Sequence, residues 1–265
     1  MNTLYSFLLP GLIVPLVLSL TLVTLTLRLH WQGAWGLALV WLISYFWLRG
    51  LPNPPPREAV DWLWLIGFAT LAAGALPIAP RGRWLLLSGL LALYLAVIVW
   101  PVARHDASIM TLVELLVLII AGTSLIHRLI DGYTAMFPAL SMAIISISYA
   151  ATAALGGSLL IGLLSSALAA TLGGFALYEA TIKKKMTLLP IRAALLANIW
   201  LLCLMLIGRV YAELPLGSLA LLLAALVASQ VLRVRGFWQA TLITGIPAVS
   251  AIAWCVLIQG SSSYY

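Results

Sequence analysis

The stretch from residue 133 to residue 181, YTAMFPALSMAIISISYAATAALGGSLLIGLLSSALAATLGGFALYEAT, decides the fold class of this protein. It contains two apolar runs, 133–154 and 158–181, and the link Ala154-Leu155-Gly156-Gly157 between them carries no charge. A helix needs roughly 20 apolar residues to cross about 30 Å of hydrocarbon, and each run reaches that length. The stretch therefore predicts a transmembrane helical hairpin with a tight turn at its two glycines.

The rest of the chain repeats this pattern. Of its 265 residues, 64% are hydrophobic and 8% are charged, which leaves too little polar surface for a soluble domain. We predict a single all-α domain over 1–265, a polytopic integral membrane protein with about ten transmembrane helices. The predicted spans are 4–27, 32–48, 60–79, 84–102, 108–126, 133–154, 158–181, 193–208, 214–232 and 238–258. The second and the eighth are short for a full crossing.

The basic residues fall between the spans and alternate in number from gap to gap. The odd-numbered gaps hold ten of the 14 Lys and Arg residues, with a cluster at Lys183, Lys184 and Lys185. Basic residues favour the cytoplasmic side, so the odd-numbered gaps are predicted inside and both termini in the periplasm. Short loops without a basic stripe predict a lipid bilayer as the partner, not nucleic acid. We expect the inner membrane of a bacterium.

An internal repeat is one interpretation of the ten spans. Five spans per half would place the second half inverted in the membrane, as in many secondary transporters. Pro10 and Pro15 in the first span correspond to Pro138 in the sixth, although apolar sequences also produce such matches by chance. Proline frees a backbone carbonyl, so Pro15, Pro138 and Pro247 predict interrupted helices.

Glu114, in IMTLVELLVLIIAG, is the strongest candidate for chemistry. It lies about six residues into the fifth span, roughly 9 Å from the end of that helix. A carboxylate at such a depth costs a few kcal/mol unless it is protonated, paired or facing water. Glu114 is therefore a candidate for proton or ion coupling, with a neutral carboxyl bonded to another helix as the alternative.

The predicted hairpin carries the second set of candidates. Small residues recur every four positions in the seventh span, at Ser158, Gly162, Ser166, Ala170 and Gly174. Such a stripe allows close helix packing, while Ser146 and Tyr149 in the sixth span could also line a solute path. Two deep amides, Asn198 and Gln230, predict interhelical hydrogen bonds, and the mid-span Trp41 and Trp200 predict packing contacts.

Several classes of function are disfavoured by the sequence. The three histidines, His30, His105 and His127, lie at span ends, so no haem or metal ligation is predicted. No phosphate-binding loop, HExxH or nucleophile-elbow motif occurs, so neither an enzyme nor a cofactor is expected. Two classes remain. One is a small secondary transporter, proton-coupled through Glu114; the other is a non-catalytic anchor or assembly subunit that binds other membrane subunits or a second copy.

Overall fold

The computed structural model describes residues 9–29, 34–51, 58–75, 138–181, 188–231 and 237–262, with isolated positions between 82 and 117. Every secondary-structure element in these ranges is a helix. A π-helical turn, Leu9–Ile13, continues as α1, and a 3-10 turn, Ala59–Trp62, precedes α3. The α-helices are α1 (Val14–Leu29), α2 (Ala34–Arg49), α3 (Leu63–Ala75), α4 (Pro138–Leu155), α5 (Leu159–Thr181), α6 (Leu188–Tyr211), α7 (Leu216–Val231) and α8 (Phe237–Ser262).

Three helical segments within the described ranges are long and apolar enough to cross a membrane. They are Pro138–Leu155, Leu159–Leu177 and Phe237–Ile258, and shorter apolar helices accompany them. The chain is thus an all-helical protein, in its described part, with helices suited to a bilayer. The predicted fourth and fifth spans lie outside the described residues apart from isolated positions, so the count of ten stays a prediction.

The helix ends differ from the predicted ends mainly in α6. This helix begins at Leu188, not at residue 193, and it ends at Tyr211. Pro190 and Arg192 therefore belong to the beginning of the helix and not to the preceding loop. Proline is tolerated there because the first N–H groups of a helix have no partner within it. The eighth predicted span is therefore part of a helix of 24 residues.

The hairpin of α4 and α5 forms the centre of the described bundle. Gly157 has a φ of 87°, and the Ser158 N–H donates to the Ala153 carbonyl at 3.0 Å. This is the glycine-dependent C-cap that ends a helix and reverses the chain. Helices α1 and α2 pack on α5, α7 and α8 pack on α4, and α6 contacts α2, α3, α4 and α5.

Much of the buried core of the described bundle lies along α6. Leu201, Leu204 and Met205 are fully buried, and α4 and α5 contribute Ile145, Tyr149 and Phe175. On the periphery, α8 exposes Trp238, Leu242, Ile246 and Val249, each more than half exposed. These four residues follow a helical spacing and form a continuous apolar face. Lipid chains can cover such a face, whereas in water it would drive association.

Two of the predicted outer turns lie at the same end of the bundle. The Leu214 side chain, after α6, packs against Gly156 in the α4–α5 turn and against Gly208 near the end of α6. The carboxyl ends of α4 and α6 are therefore neighbours, so these two helices run in the same direction. This is the arrangement expected when helices alternate across a bilayer.

Candidate functional site

The sequence candidates divide into those that the structure describes and those that it does not. Glu114 lies outside the described residues, and so does the Gln230 side chain. The remaining candidates, Ser146, Tyr149, Gly162, Ser166, Ala170 and Gly174, all lie on the α4–α5 hairpin and are buried or half-buried.

The small-residue stripe of α5 contacts two helices, not one. A Cβ on Gly162 would lie 3.0 Å from the Ala150 carbonyl of α4, whereas a Cβ on Gly174 would collide with Ser19 of α1. The reason is geometric, because four residues rotate by about 400° around an α-helix and each step of the stripe drifts by about 40°. The stripe therefore begins against α4 and ends against α1.

Ser166 lies between these two contacts and compensates for a proline. The Ser166 hydroxyl lies 3.0 Å from the Gly11 carbonyl and 2.8 Å from the Leu163 carbonyl, so its single proton is shared between them. In an α-helix, Gly11 would accept from the N–H of residue 15, which is Pro15 and has none. A polar side chain of α5 thus gives a hydrogen bond to a carbonyl of the π-helical turn that Pro15 cannot serve.

Tyr149 connects α4 to α6. Its hydroxyl donates to the Leu204 carbonyl at 2.5 Å, and its ring is fully buried. Gly208 lies against this hydroxyl, where any Cβ would collide with it. Tyr149 and Gly208 therefore pack tightly against each other at the α4–α6 interface. This contact lies near the end of the bundle where the α4–α5 turn and the turn after α6 are found.

In the described part of the chain, seven buried side chains have a polar atom without a hydrogen-bond partner: Trp41, Trp64, Ser146, Ser165, Asn198, Trp200 and Ser218. Three of them are serine or asparagine residues on α4, α5 and α6. They are Ser146 on α4, Ser165 on α5 and Asn198 on α6, for which both amide atoms are unpaired. All three residues are fully buried. Asn198 therefore does not form the predicted interhelical hydrogen bond. An unsatisfied buried polar group costs about 1–3 kcal/mol.

The helical positions give the direction of Asn198 on α6. Trp200 stacks on Trp41 of α2 with ring centroids 4.6 Å apart, and Asn198 is about 200° around α6 from Trp200. Asn198 therefore faces away from Trp41 and α2.

Ser146 and Ser165 lie beside contact faces of α4 and α5. Ser146 is about 60° around α4 from Tyr149, which faces α6. Ser165 is about 60° around α5 from Gly162, which faces α4, and about 100° from Ser166. We call Ser146, Ser165 and Asn198 the polar file.

A second polar cluster joins the end of α2 to the start of the 3-10 turn that precedes α3. Arg49 donates from Nε to Asp61 Oδ1 at 3.0 Å and pairs with Glu58 Oε2 at 2.6 Å. Asp61 Oδ2 accepts from the Glu58 N–H at 3.1 Å, and the Tyr45 hydroxyl donates to the Val60 carbonyl at 3.1 Å. The basic group lies at a helix C-terminus and the acids at the start of the next helical segment, which suits both helix dipoles. We call these three charged residues the loop clamp.

Sequence reasoning missed the loop clamp and part of the polar file. Glu58 and Asp61 are three residues apart directly before an apolar run, which is the spacing of a capping box and could have been noticed. Ser165 gave no such signal, because serine is common in membrane helices and only the helix packing shows that it lacks a partner.

The described residues contain no group of three His, Cys, Asp or Glu side chains that could hold a metal ion. Both cysteines, Cys203 and Cys255, are buried free thiols. Comparison with protein families, with curated proteins and with solved structures finds no significant match to this chain.

Proposed function

We propose that this chain is a small secondary transporter of a bacterial inner membrane, with the solute path along the α4–α6 and α5–α6 interfaces. The observation that carries the proposal is the polar file, which places hydrogen-bonding groups without partners in the middle of a helix bundle. Buried polar groups without partners lower stability. Such groups on three packed helices of the bundle are explained if a solute supplies the missing partners in turn.

Two further features support a path at this position. Tyr149 and Gly208 close the same interface near one end, as a gate would. The π-helical turn at Leu9–Ile13 and the Pro15 interruption give irregular backbone next to α5, which is the kind of helix that transporters use near their sites. We further propose that Glu114 couples proton movement to solute movement, because an intramembrane carboxyl can carry a proton.

Proteoliposomes that contain a pH-sensitive dye test this proposal. We expect one class among uncharged polar solutes, amino acids, sugars and monocarboxylates to drive proton flux across the membrane. Glu114→Gln should abolish this flux, while Glu213→Gln, a control acid in the exposed turn after α6, should leave it unchanged. Protein that gives a melting transition but no solute-dependent flux with any class would contradict transport. Full flux in Glu114→Gln would contradict the coupling role of Glu114 alone.

The assembly-subunit alternative has less support. In that alternative, another subunit would dock on the small-residue stripe of α5. Within this chain, α4 already covers the stripe at Gly162 and α1 covers it at Gly174. Purification in mild detergent distinguishes the two classes. A stoichiometric membrane partner that copurifies with the chain would favour the subunit role.

A further inference from the structure

We infer that the π-helical turn Leu9–Ile13 is a hinged segment, which opens away from α5 while the rest of α1 stays in place. We call it the hinged turn. The inference is carried by two contacts with α5, a replaceable one before Pro15 and a tight one after it. It goes beyond the proposed transport function and does not depend on it.

One face of this part of the chain lies against α5 on both sides of the proline. Gly11, Pro15 and Ser19 are four residues apart and all three are buried, whereas Leu12 and Ile13 are 38% and 46% exposed. Residues at this spacing lie on the same side of a helix. Among residues 11–13, the one that faces α5 is therefore a glycine, so separating it from α5 uncovers little apolar surface.

After the proline, α1 is held tightly to α5. A Cβ on Gly174 of α5 would collide with the Ser19 side chain. A Cβ on Gly173 would lie 3.5 Å from Leu16 Cδ1, and Ser19 is fully buried. Backbones this close lose many van der Waals contacts when they separate. This part of α1 therefore stays with α5.

Before the proline, the contact can be broken without leaving a hydroxyl unpaired. The Ser166 hydroxyl lies 3.0 Å from the Gly11 carbonyl and 2.8 Å from the Leu163 carbonyl of its own helix. When the hinged turn moves away, this hydroxyl still donates to the Leu163 carbonyl. Water that enters the gap can donate to the Gly11 carbonyl. The hydroxyl and the carbonyl thus have partners in the closed and in the open arrangement.

The hinge lies at Pro15, where two causes of helix bending coincide. Pro15 offers no N–H to the backbone, and its ring crowds the carbonyl of the residue four positions earlier, Gly11. The turn before it is π-helical, and sharp bends in helices occur mainly at prolines and π-turns. The missing hydrogen bond weakens the coupling to α1, so the hinged turn can rotate about Pro15 as a unit.

Thiol labelling of the full chain in detergent micelles tests the hinge. Ser166→Cys places a thiol in the gap that opens, and Ser19→Cys places one in the tight contact. A small water-soluble methanethiosulfonate reacts with the thiolate, which forms where water reaches the sulfur. We expect Ser166→Cys to react at least about tenfold faster, because the reaction of a covered thiol follows the population of its open state. The native Cys203 and Cys255 are buried, and the unmodified chain gives their rate.

Restoring the missing N–H separates an opening motion from a fixed exposure of residue 166. Pro15→Ala lets α1 continue as a regular helix through residue 11, so the Ser166→Cys reaction should slow by about fivefold or more. The Ser19→Cys rate should stay unchanged. Pro15→Val is a second variant that restores the N–H and keeps more of the buried volume. A melting transition shows that each protein is folded.

Two results would overturn the hinge. One is an equal rate for Ser166→Cys and Ser19→Cys in the native background. The other is a Ser166→Cys rate that both substitutions at residue 15 leave unchanged or raise, because the thiol would then be reached without motion of the hinged turn. The measurement needs no solute, so its outcome is independent of whether the chain transports one.

Discussion

Gly174 shows how a single missing side chain sets the distance between two helices. A Cβ at this position would lie against the Ser19 hydroxyl of α1, and rotating that hydroxyl would not relieve the contact. Ser19 Cβ would still be 3.0 Å away and the Leu20 nitrogen 3.3 Å away. The approach of α1 to α5 therefore depends on glycine at residue 174, as in the small-residue interfaces of membrane helices.

The substitution Gly174→Ala should lower the free energy of unfolding by about 1–3 kcal/mol, because the added methyl group overpacks the α1–α5 interface. The measurement is the midpoint of SDS-induced unfolding in mixed micelles. Gly245→Ala is the control, since a Cβ there meets nothing within 4 Å. It should be neutral or stabilising by up to about 1 kcal/mol through helix propensity. An equal loss of unfolding free energy in the two variants would contradict the close contact between Gly174 and Ser19.

The loop clamp is the second feature at the scale of residues. The Asp61 side chain is 13% exposed and the Glu58 side chain is 60% exposed, although both contact Arg49. Arg49→Gln leaves the Asp61 carboxylate without its charged partner in a largely buried position. Glu58 can be solvated by water when its partner is removed. The Arg49–Asp61 pair is therefore expected to contribute more to the free energy of folding than the Arg49–Glu58 pair, although the two pairs are of similar length.

We expect Arg49→Gln and Asp61→Asn each to lower stability by about 1–3 kcal/mol. Combined in a double-mutant cycle, they should show a coupling of about 1 kcal/mol. Glu58→Gln should cost less, because exposed ion pairs contribute about 0–1 kcal/mol. The unfolding midpoints of the four proteins of the cycle give these values. Strict additivity of the Arg49 and Asp61 variants would show that their contact does not contribute.

At the scale of elements, a hydrogen bond from α5 reaches the backbone just before α1, close to the proline near the start of that helix. Pro15 has no N–H to offer the Gly11 carbonyl of the π-helical turn, and Ser166 of α5 donates to that carbonyl. The same defect that weakens α1 therefore links it to the central hairpin.

The cost of Ser166→Ala should consequently depend on residue 15. In the native background it should be about 0.5–1.5 kcal/mol, within the range of membrane hydrogen bonds. In a Pro15→Ala background the cost should be clearly smaller, because the new N–H can bond to the Gly11 carbonyl within α1. Unfolding midpoints of the four proteins measure the difference. An identical cost in both backgrounds would show that Ser166 does not compensate for the proline.

The end of α6 carries backbone strain. Glu213 has a φ of 49°, in the left-handed region that costs a residue with a Cβ about 1–2 kcal/mol. Glycine usually occupies this position after a helix. Glu213→Gly should therefore raise the melting temperature, whereas Gly157→Ala, at a φ of 87°, should lower it. Shifts of the same sign in the two variants would contradict this account of the two turns.

At the scale of the whole molecule, the predicted orientation in the membrane rests on the basic residues at and between the helix ends. The Lys183–Lys185 cluster predicts the cytoplasmic side for the gap between α5 and α6. Leu51, which is 83% exposed just after α2, belongs to a gap of the opposite predicted side. The bundle itself does not distinguish the two sides, because its apolar surface fits a bilayer in either direction.

A membrane-impermeant maleimide tests the orientation in intact cells. Leu51→Cys should react directly, and Lys184→Cys should react only after the membrane is permeabilised. The native Cys203 and Cys255 are buried, so the unmodified chain gives the background. Labelling of Lys184→Cys but not of Leu51→Cys in intact cells would reverse the predicted topology.

Much of the architecture follows from the sequence because its cause is local. The apolar runs predict where helices lie, since every backbone group in lipid must bond within its own helix. The two glycines after Leu155 predict a tight turn because glycine adopts a positive φ without strain. The starts of α2, α5, α7 and α8 lie within two residues of the predicted ones. The start of α6 was misplaced because Arg192 was interpreted as a loop residue, although a long side chain can reach the membrane surface from within a helix.

The apolar and helical character of the chain and its short links follow from the order of its amino acids. Which helices are neighbours, and therefore which polar side chains are paired, depends on the packing of the folded chain. Ser166 and Ser165 are adjacent and chemically identical. Ser166 donates to the Gly11 carbonyl in the turn before α1, whereas the Ser165 hydroxyl has no partner in the described bundle. The 100° of rotation between successive residues turns them toward different helices. The identity of those neighbours depends on contacts between residues far apart in the chain, which no local pattern encodes.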